Sequence, residues 1–126
     1  MITGIGTDMI EVARVAEKIG KDSGFTELVF SADEIKYCEA KAYKYQHYAA
    51  RFAAKEAFLK AIGSGWDSGI NLYEIEIVND EKGKPSLQIN GDTGLTLQAF
   101  ANSNIWVSLS HLKDIASAVV VIESNK

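Results

Sequence analysis

Cysteine and proline are nearly missing from this chain, with one of each in 126 residues. The lone cysteine, Cys38, excludes an internal disulfide and a zinc site built on cysteines. No apolar run approaches the roughly 20 residues of a membrane-spanning helix. Residues 1–12 carry neither a basic segment nor a leader-like apolar stretch, so the chain is expected to stay in the cytoplasm. There is no Gly-x-Ser-x-Gly nucleophile elbow, no Walker A lysine motif and no dinucleotide-binding glycine fingerprint. Internal repeats and low-complexity segments are absent as well. Basic residues are outnumbered 13 to 17, for a net charge of −4. That balance argues against a bulk nucleic-acid binder.

The length and an apolar fraction of 47% suit one compact domain spanning residues 1–126. The charge is unevenly spread. Residues 14–60 hold nine of the thirteen Lys and Arg and seven of the seventeen Asp and Glu, a net of +2; the rest of the chain carries −6. A basic region on an acidic protein suits an anionic ligand or an acidic partner. From charge alone, a solvated helical surface of mixed charge is the simpler account.

Residues 1–6 read as a short strand. Asp8 and Glu11 then resemble a capping box that opens a helix, with Val12, Val15, Ala16 and Ile19 as its apolar stripe and Gly20 as its stop. A second helix starts at Ser31, where Ser31 and Glu34 form an S-x-x-E box and Phe30 with Ile35 suits a hydrophobic staple. The longest helix covers about 45–62 and ends at Gly63. Residues 72–78 alternate as a strand with Tyr73, Ile75 and Ile77 on one face. A turn at 79–83 leads to an edge strand from Pro85 to Ile89. A short helix is expected near 93–102, then strands at 105–110 and 116–122. Helices come mostly first and strands mostly second, with short turns between the strands. This predicts an α+β fold with a mainly antiparallel sheet packed with helices.

Two carboxylates stand out. On a helical wheel Glu56 lies in the middle of an apolar stripe, flanked by Ala49, Phe52, Ala53 and Leu59. A buried carboxylate is normally paired or bound to a metal. Lys60, one turn on, is the obvious ion-pair partner. Asp8 follows two glycines at a strand end, where it reads either as a helix cap or as a metal ligand. An Asp and a Glu together suit Mg²⁺ shared with water and substrate phosphates.

The residues Gly4-Ile5-Gly6-Thr7-Asp8-Met9-Ile10-Glu11 resemble the N-terminal motif of the 4′-phosphopantetheinyl transferases. Arg51 to Ala61, Arg-Phe-Ala-Ala-Lys-Glu-Ala-Phe-Leu-Lys-Ala, resembles their second motif, (W/F)-x-x-K-E-(S/A)-x-x-K. Gly83-Lys84-Pro85 and the ending from Val107 to Glu123 resemble the short bacterial branch, the holo-[acyl-carrier-protein] synthases. The resemblance covers essentially the whole chain. It implies transfer of the 4′-phosphopantetheine arm of coenzyme A to a serine of apo-acyl carrier protein, with release of adenosine 3′,5′-bisphosphate. It implies Mg²⁺ on Asp8 and Glu56, with Lys60 neutralising phosphate charge and Glu56 orienting or deprotonating the serine. For coenzyme A it points to Lys44, Arg51, Lys60 and His111, to Gly63-Ser64-Gly65 as an N–H cradle, and to Gly83, Lys84 and Pro85 near the adenine. Arg14, Lys18 and Lys21, on one helix face, suit an acidic carrier. The last strands carry apolar residues on both faces, including Val119 and Val121, so a second layer must cover them. One long helix of the same chain would serve; the resemblance favours a homotrimer with active sites between subunits.

Overall fold

The computed structural model describes residues 1–21, 23–64 and 69–125. The chain runs β1 (Ile2–Glu11), α1 (Val12–Gly20), α2 (Phe25–Val29), α3 (Ala32–Glu39), α4 (Lys44–Ile62), β2 (Ile75–Asn79), β3 (Pro85–Ile89), α5 (Gly91–Thr96), β4 (Ser103–His111) and β5 (Ile115–Ser124). Single 3-10 turns occupy Leu72–Glu74 and Gln98–Phe100. One antiparallel sheet has the order β1-β5-β4, and β2 and β3 form a separate antiparallel hairpin. The α+β class with antiparallel sheets is the one expected from the sequence. Among the described residues no helix is long and apolar enough to cross a membrane.

Helix α4 is the centre of the molecule. Its 19 residues span roughly 28 Å at 1.5 Å per residue. Tyr48, Ala49, Ala53, Ala54, Ala57 and Phe58 are buried on it, because β1 and β5 pack on one side and α1 and α3 on others. From β5, Ala116, Ala118, Val120 and Ile122 point at this core. Gly63 ends the helix with φ of +74°, a left-handed conformation in which glycine carries no side-chain penalty.

Three expectations are corrected. Asp8 does not cap a helix: β1 continues through Glu11, and Asp8 sits in mid-strand opposite Ala118. The N-cap of α1 is Glu11, without a side-chain cap bond. Strand pairing with β5 uses the backbone that the capping box would have needed. Tyr73 does not share a face with Ile75 and Ile77, because it lies in the 3-10 turn before β2 and is exposed. The helix expected near 93–102 is two short pieces, α5 and the 3-10 turn. Helix α2 had no signal beyond Phe25 and Val29. The Ser31 box is formed as expected: Ser31 Oγ accepts from Glu34 N at 3.1 Å, and Glu34 Oε1 accepts from Ser31 N at 3.0 Å.

Candidate active site

The site begins with two missing side chains. Gly4, Gly6, Asp8 and Ile10 alternate along the inner face of β1. A Cβ on Gly4 would stand 2.2 Å from the Ala61 carbonyl oxygen, and one on Gly6 2.0 Å from that of Ala57. Real Cβ atoms do not come so close, so only glycine lets the backbone of α4 lie directly on the strand. The two glycines are therefore not a flexible loop that opens space for a ligand. They bring a helix down onto a strand, and Asp8 is the next inward residue past the contact.

This crossing brings α4 to Asp8. Lys60 Nζ lies 3.1 Å from Asp8 Oδ1 and donates to the Thr7 carbonyl at 3.0 Å. The Asp8 side chain is 17% exposed and that of Lys60 57%, so the pair sits at a rim where a ligand has access to the ammonium. Glu56, one turn earlier on α4 and half-buried, shares with Asp8 a cleft of about 340 Å³. Asp8 and Lys60 also line a hollow of about 530 Å³ that spreads over the outer face of the sheet past Ser117 and Val119.

The donor set fits a hard divalent cation. Two carboxylates face one open cleft, and no group of three or more His, Cys, Asp or Glu able to hold a metal occurs among the described residues. Such a pair leaves coordination positions for water and phosphate oxygens, which is how Mg²⁺ is usually held.

Arg14 and Lys18 line the Asp8–Glu56 cleft. The Lys18 ammonium lies 5.6 Å from the Phe25 ring and 5.7 Å from that of Phe52. Lys21 stands apart from them in an exposed pair with Glu17, at 3.0 Å.

The other expected coenzyme residues lie elsewhere. Arg51, Gly83, Pro85 and His111 line a separate cavity of about 180 Å³, together with Tyr37 and His47. The Arg51 guanidinium lies over the Tyr37 ring, 4.0 Å from its centroid. His111 Nδ1 is 2.8 Å from Gln46 Oε1, and its ring is 5.1 Å from that of His47. Burial holds His47 below the usual histidine range, and the positive charges of His111, Lys41 and Arg51 add to the effect. Lys84 reaches the Trp106 ring at 5.9 Å. Lys44 pairs with Glu39 at 3.2 Å and lines a fourth cavity with Tyr43 and Lys113.

The N–H groups of Gly63 and Ser64 are occupied. They donate to the Lys60 and Leu59 carbonyls at 3.1 and 2.9 Å and close the end of α4. A helix C-terminus also carries negative partial charge, so these two donors do not form the expected anion cradle. Gly65 lies outside the described residues.

The family model described as the 4′-phosphopantetheinyl transferase superfamily matches residues 4–120. The chain belongs to this family. A holo-[acyl-carrier-protein] synthase of Cytophaga hutchinsonii is 49% identical over 127 residues, covering 99% of this chain and 100% of the relative. Among solved structures, the synthase of Bacillus anthracis in complex with CoA (3′,5′-ADP) is 34% identical, with a TM-score of 0.81 over 99% of each chain. That of Helicobacter pylori in complex with coenzyme A is 28% identical, with a TM-score of 0.81 over 94% of this chain and 99% of the other. The chain is thus an enzyme of the phosphopantetheinyl transferase family, and the inward row of Gly4, Gly6 and Asp8 is the physical content of its first motif.

The second motif contains one residue the sequence reading passed over. Lys55 is fully buried and donates to Glu34 Oε1 at 2.7 Å, to the Leu72 carbonyl at 2.8 Å and to the Ile75 carbonyl. Burial pushes its ammonium below the usual lysine range, opposed by the Glu34 carboxylate. In this phosphopantetheinyl transferase the lysine fastens α4 to α3 and to the start of β2. Only a wheel on which every side of α4 is apolar would have pointed to a charge in need of a buried partner.

Proposed function

We propose that this chain transfers the 4′-phosphopantetheine arm of coenzyme A to a serine of an apo-acyl carrier protein and releases adenosine 3′,5′-bisphosphate. The observation that carries the reading is the meeting of Asp8, Glu56 and Lys60 where α4 crosses β1. Relatives named holo-[acyl-carrier-protein] synthase over nearly their whole length support it.

In the reaction the serine oxygen bonds to the phosphorus on the pantetheine side of the pyrophosphate. The bond from that phosphorus to the bridging oxygen breaks, and adenosine bisphosphate departs. Glu56, at the open cleft, orients the serine hydroxyl and takes its proton directly or through a water. Lys60 places an ammonium beside the phosphate oxygens and offsets the charge that accumulates on them. Asp8 holds Lys60 in place through the 3.1 Å contact. Asp8 and Glu56 would also hold a divalent cation such as Mg²⁺, which when bound would further neutralise the phosphate charge.

Arg14 and Lys18, on the wall of the same cleft, take the acidic carrier. Arg51, His111 and the 83–85 turn bind the coenzyme in the 180 Å³ cavity. Its separation from Asp8 within one chain suits a site completed by a second subunit. The outer sheet face supplies a surface for that contact, because Ile5 and Trp106, opposite Val121 from its two sides, are 65% and 51% exposed. Among the described residues no helix covers it, since α4 packs on the other face. We read the assembly as a homotrimer.

Mass spectrometry tests the reaction. An apo-carrier incubated with this protein, coenzyme A and Mg²⁺ should gain the mass of one phosphopantetheine. A carrier of unchanged mass would overturn the reading.

A further inference from the structure

A buried polar chain links α3, α4 and the β2–β3 turn. Glu34 is 1% exposed. One of its oxygens takes the Lys55 ammonium at 2.7 Å; the other accepts from Ile77 N at 3.0 Å and lies 3.9 Å from Arg51 Nε. Arg51 Nη2 in turn donates to Asn79 Oδ1, and Asn79 Nδ2 donates to the Gly83 carbonyl at 3.0 Å. Gly83 has φ of +86° and belongs to a turn whose N–H groups at Lys82 and Lys84 donate to Asp80 Oδ1. One carboxamide therefore joins a cation on α4 to the turn on the other wall of the 180 Å³ cavity.

Two pulls act on the guanidinium. Glu34 attracts it toward the core, where the 3.9 Å separation is longer than a good ion pair. Arg51 Nε, buried, has no hydrogen-bond partner among the described residues, so the guanidinium is not seated on Glu34. Asn79 and the Tyr37 ring draw it the other way, toward the cavity. Leaving a buried donor unpaired costs free energy, and packing alone gives no return for that cost. A cation held at a cavity wall does, when an anion enters.

We propose that Asn79 is a positioning residue for coenzyme binding, acting through Arg51 and the Gly83 turn. The proposal rests on the reading of this cavity as part of the coenzyme site. Without the carboxamide, Arg51 collapses onto Glu34 and the turn loses its tie. Asn79 is half-buried at the end of β2, so its truncation leaves the core intact.

The test is steady-state kinetics on wild type and Asn79→Ala, with melting curves and calorimetric titration of coenzyme A. The KM for coenzyme A should rise roughly tenfold in the variant, because a displaced Arg51 no longer makes one charge-assisted contact to the coenzyme. The carrier KM and kcat should stay near wild type, and the melting temperature should fall by only the few degrees expected for two lost hydrogen bonds. In an Arg51→Lys background the same substitution should raise the coenzyme KM much less, because residues acting as a unit are not additive. A lowered melting temperature with unchanged coenzyme KM would make Asn79 merely structural and overturn the proposal. So would a parallel rise of both KM values, or full additivity with Arg51→Lys. No coenzyme binding by wild type would overturn the reading of the site itself, and the proposal with it.

Discussion

Where Gly6 would carry a side chain, the carbonyl oxygen of Ala57 already stands 2.0 Å away. That atom is backbone on a central helix and has no rotamer to escape into. Gly6→Ala should therefore push α4 off β1 and cost about 1–3 kcal/mol, the usual range for overpacking. The same shift separates Lys60 from Asp8. Chemical denaturation and turnover measured together should both fall. An active Gly6→Ala enzyme of wild-type stability would show that the crossing does not set the site. At this scale the sequence made Asp8 and Glu56 visible but supplied the wrong surroundings for Asp8. A cap and a mid-strand residue have the same local signature here, Asp followed by Glu three residues on. What separates them is pairing with β5, more than a hundred residues away, which no local pattern carries. Lys55 was invisible for a related reason: its partner Glu34 had already been explained as half of a capping box, and it serves both.

Among the elements, α1 offers the clearest test. Arg14 and Lys18 line the cleft that also holds Glu56, while Lys21 is held by Glu17. Arg14→Glu should raise the KM for the carrier and leave that for coenzyme A nearly unchanged. The wild-type carrier KM should also climb with salt, since exposed charges are screened over about 8–10 Å near physiological ionic strength. A carrier KM indifferent to both changes would remove α1 as the docking face. Elements with their own chemistry were legible: the Ser31 box, the Gly63 stop, the acidic turn before Pro85 and the two last strands, β4 and β5, with apolar residues on both faces. Helix α2 and the 3-10 turn at Leu72–Glu74 were not, because five-residue and three-residue helices are too short for a 3.6-residue period to register.

For the whole molecule, the question is what covers the sheet. Val119 and Val121 lie on the face away from α4, between Ile5 and Thr7 on β1 and Trp106 and Ser108 on β4. An apolar strip of this kind favours association, and the Asp8–Lys60 hollow opens onto it. Light scattering should give a mass near three chains, and Val119→Glu should lower mass and activity together. A fully active monomer would refute the shared site. The proposed reaction requires the two carboxylates, Asp8 and Glu56, to be the reacting centre and not merely a polar patch beside the core. The most direct measurement is the mass of an apo-carrier after incubation with coenzyme A, Mg²⁺ and each of three proteins: wild type, Asp8→Ala and Glu56→Ala. Wild type should add one phosphopantetheine to nearly every carrier, and either folded variant should leave the carrier almost unmodified. Full conversion of the carrier by either variant at a comparable rate would contradict that role of the two carboxylates.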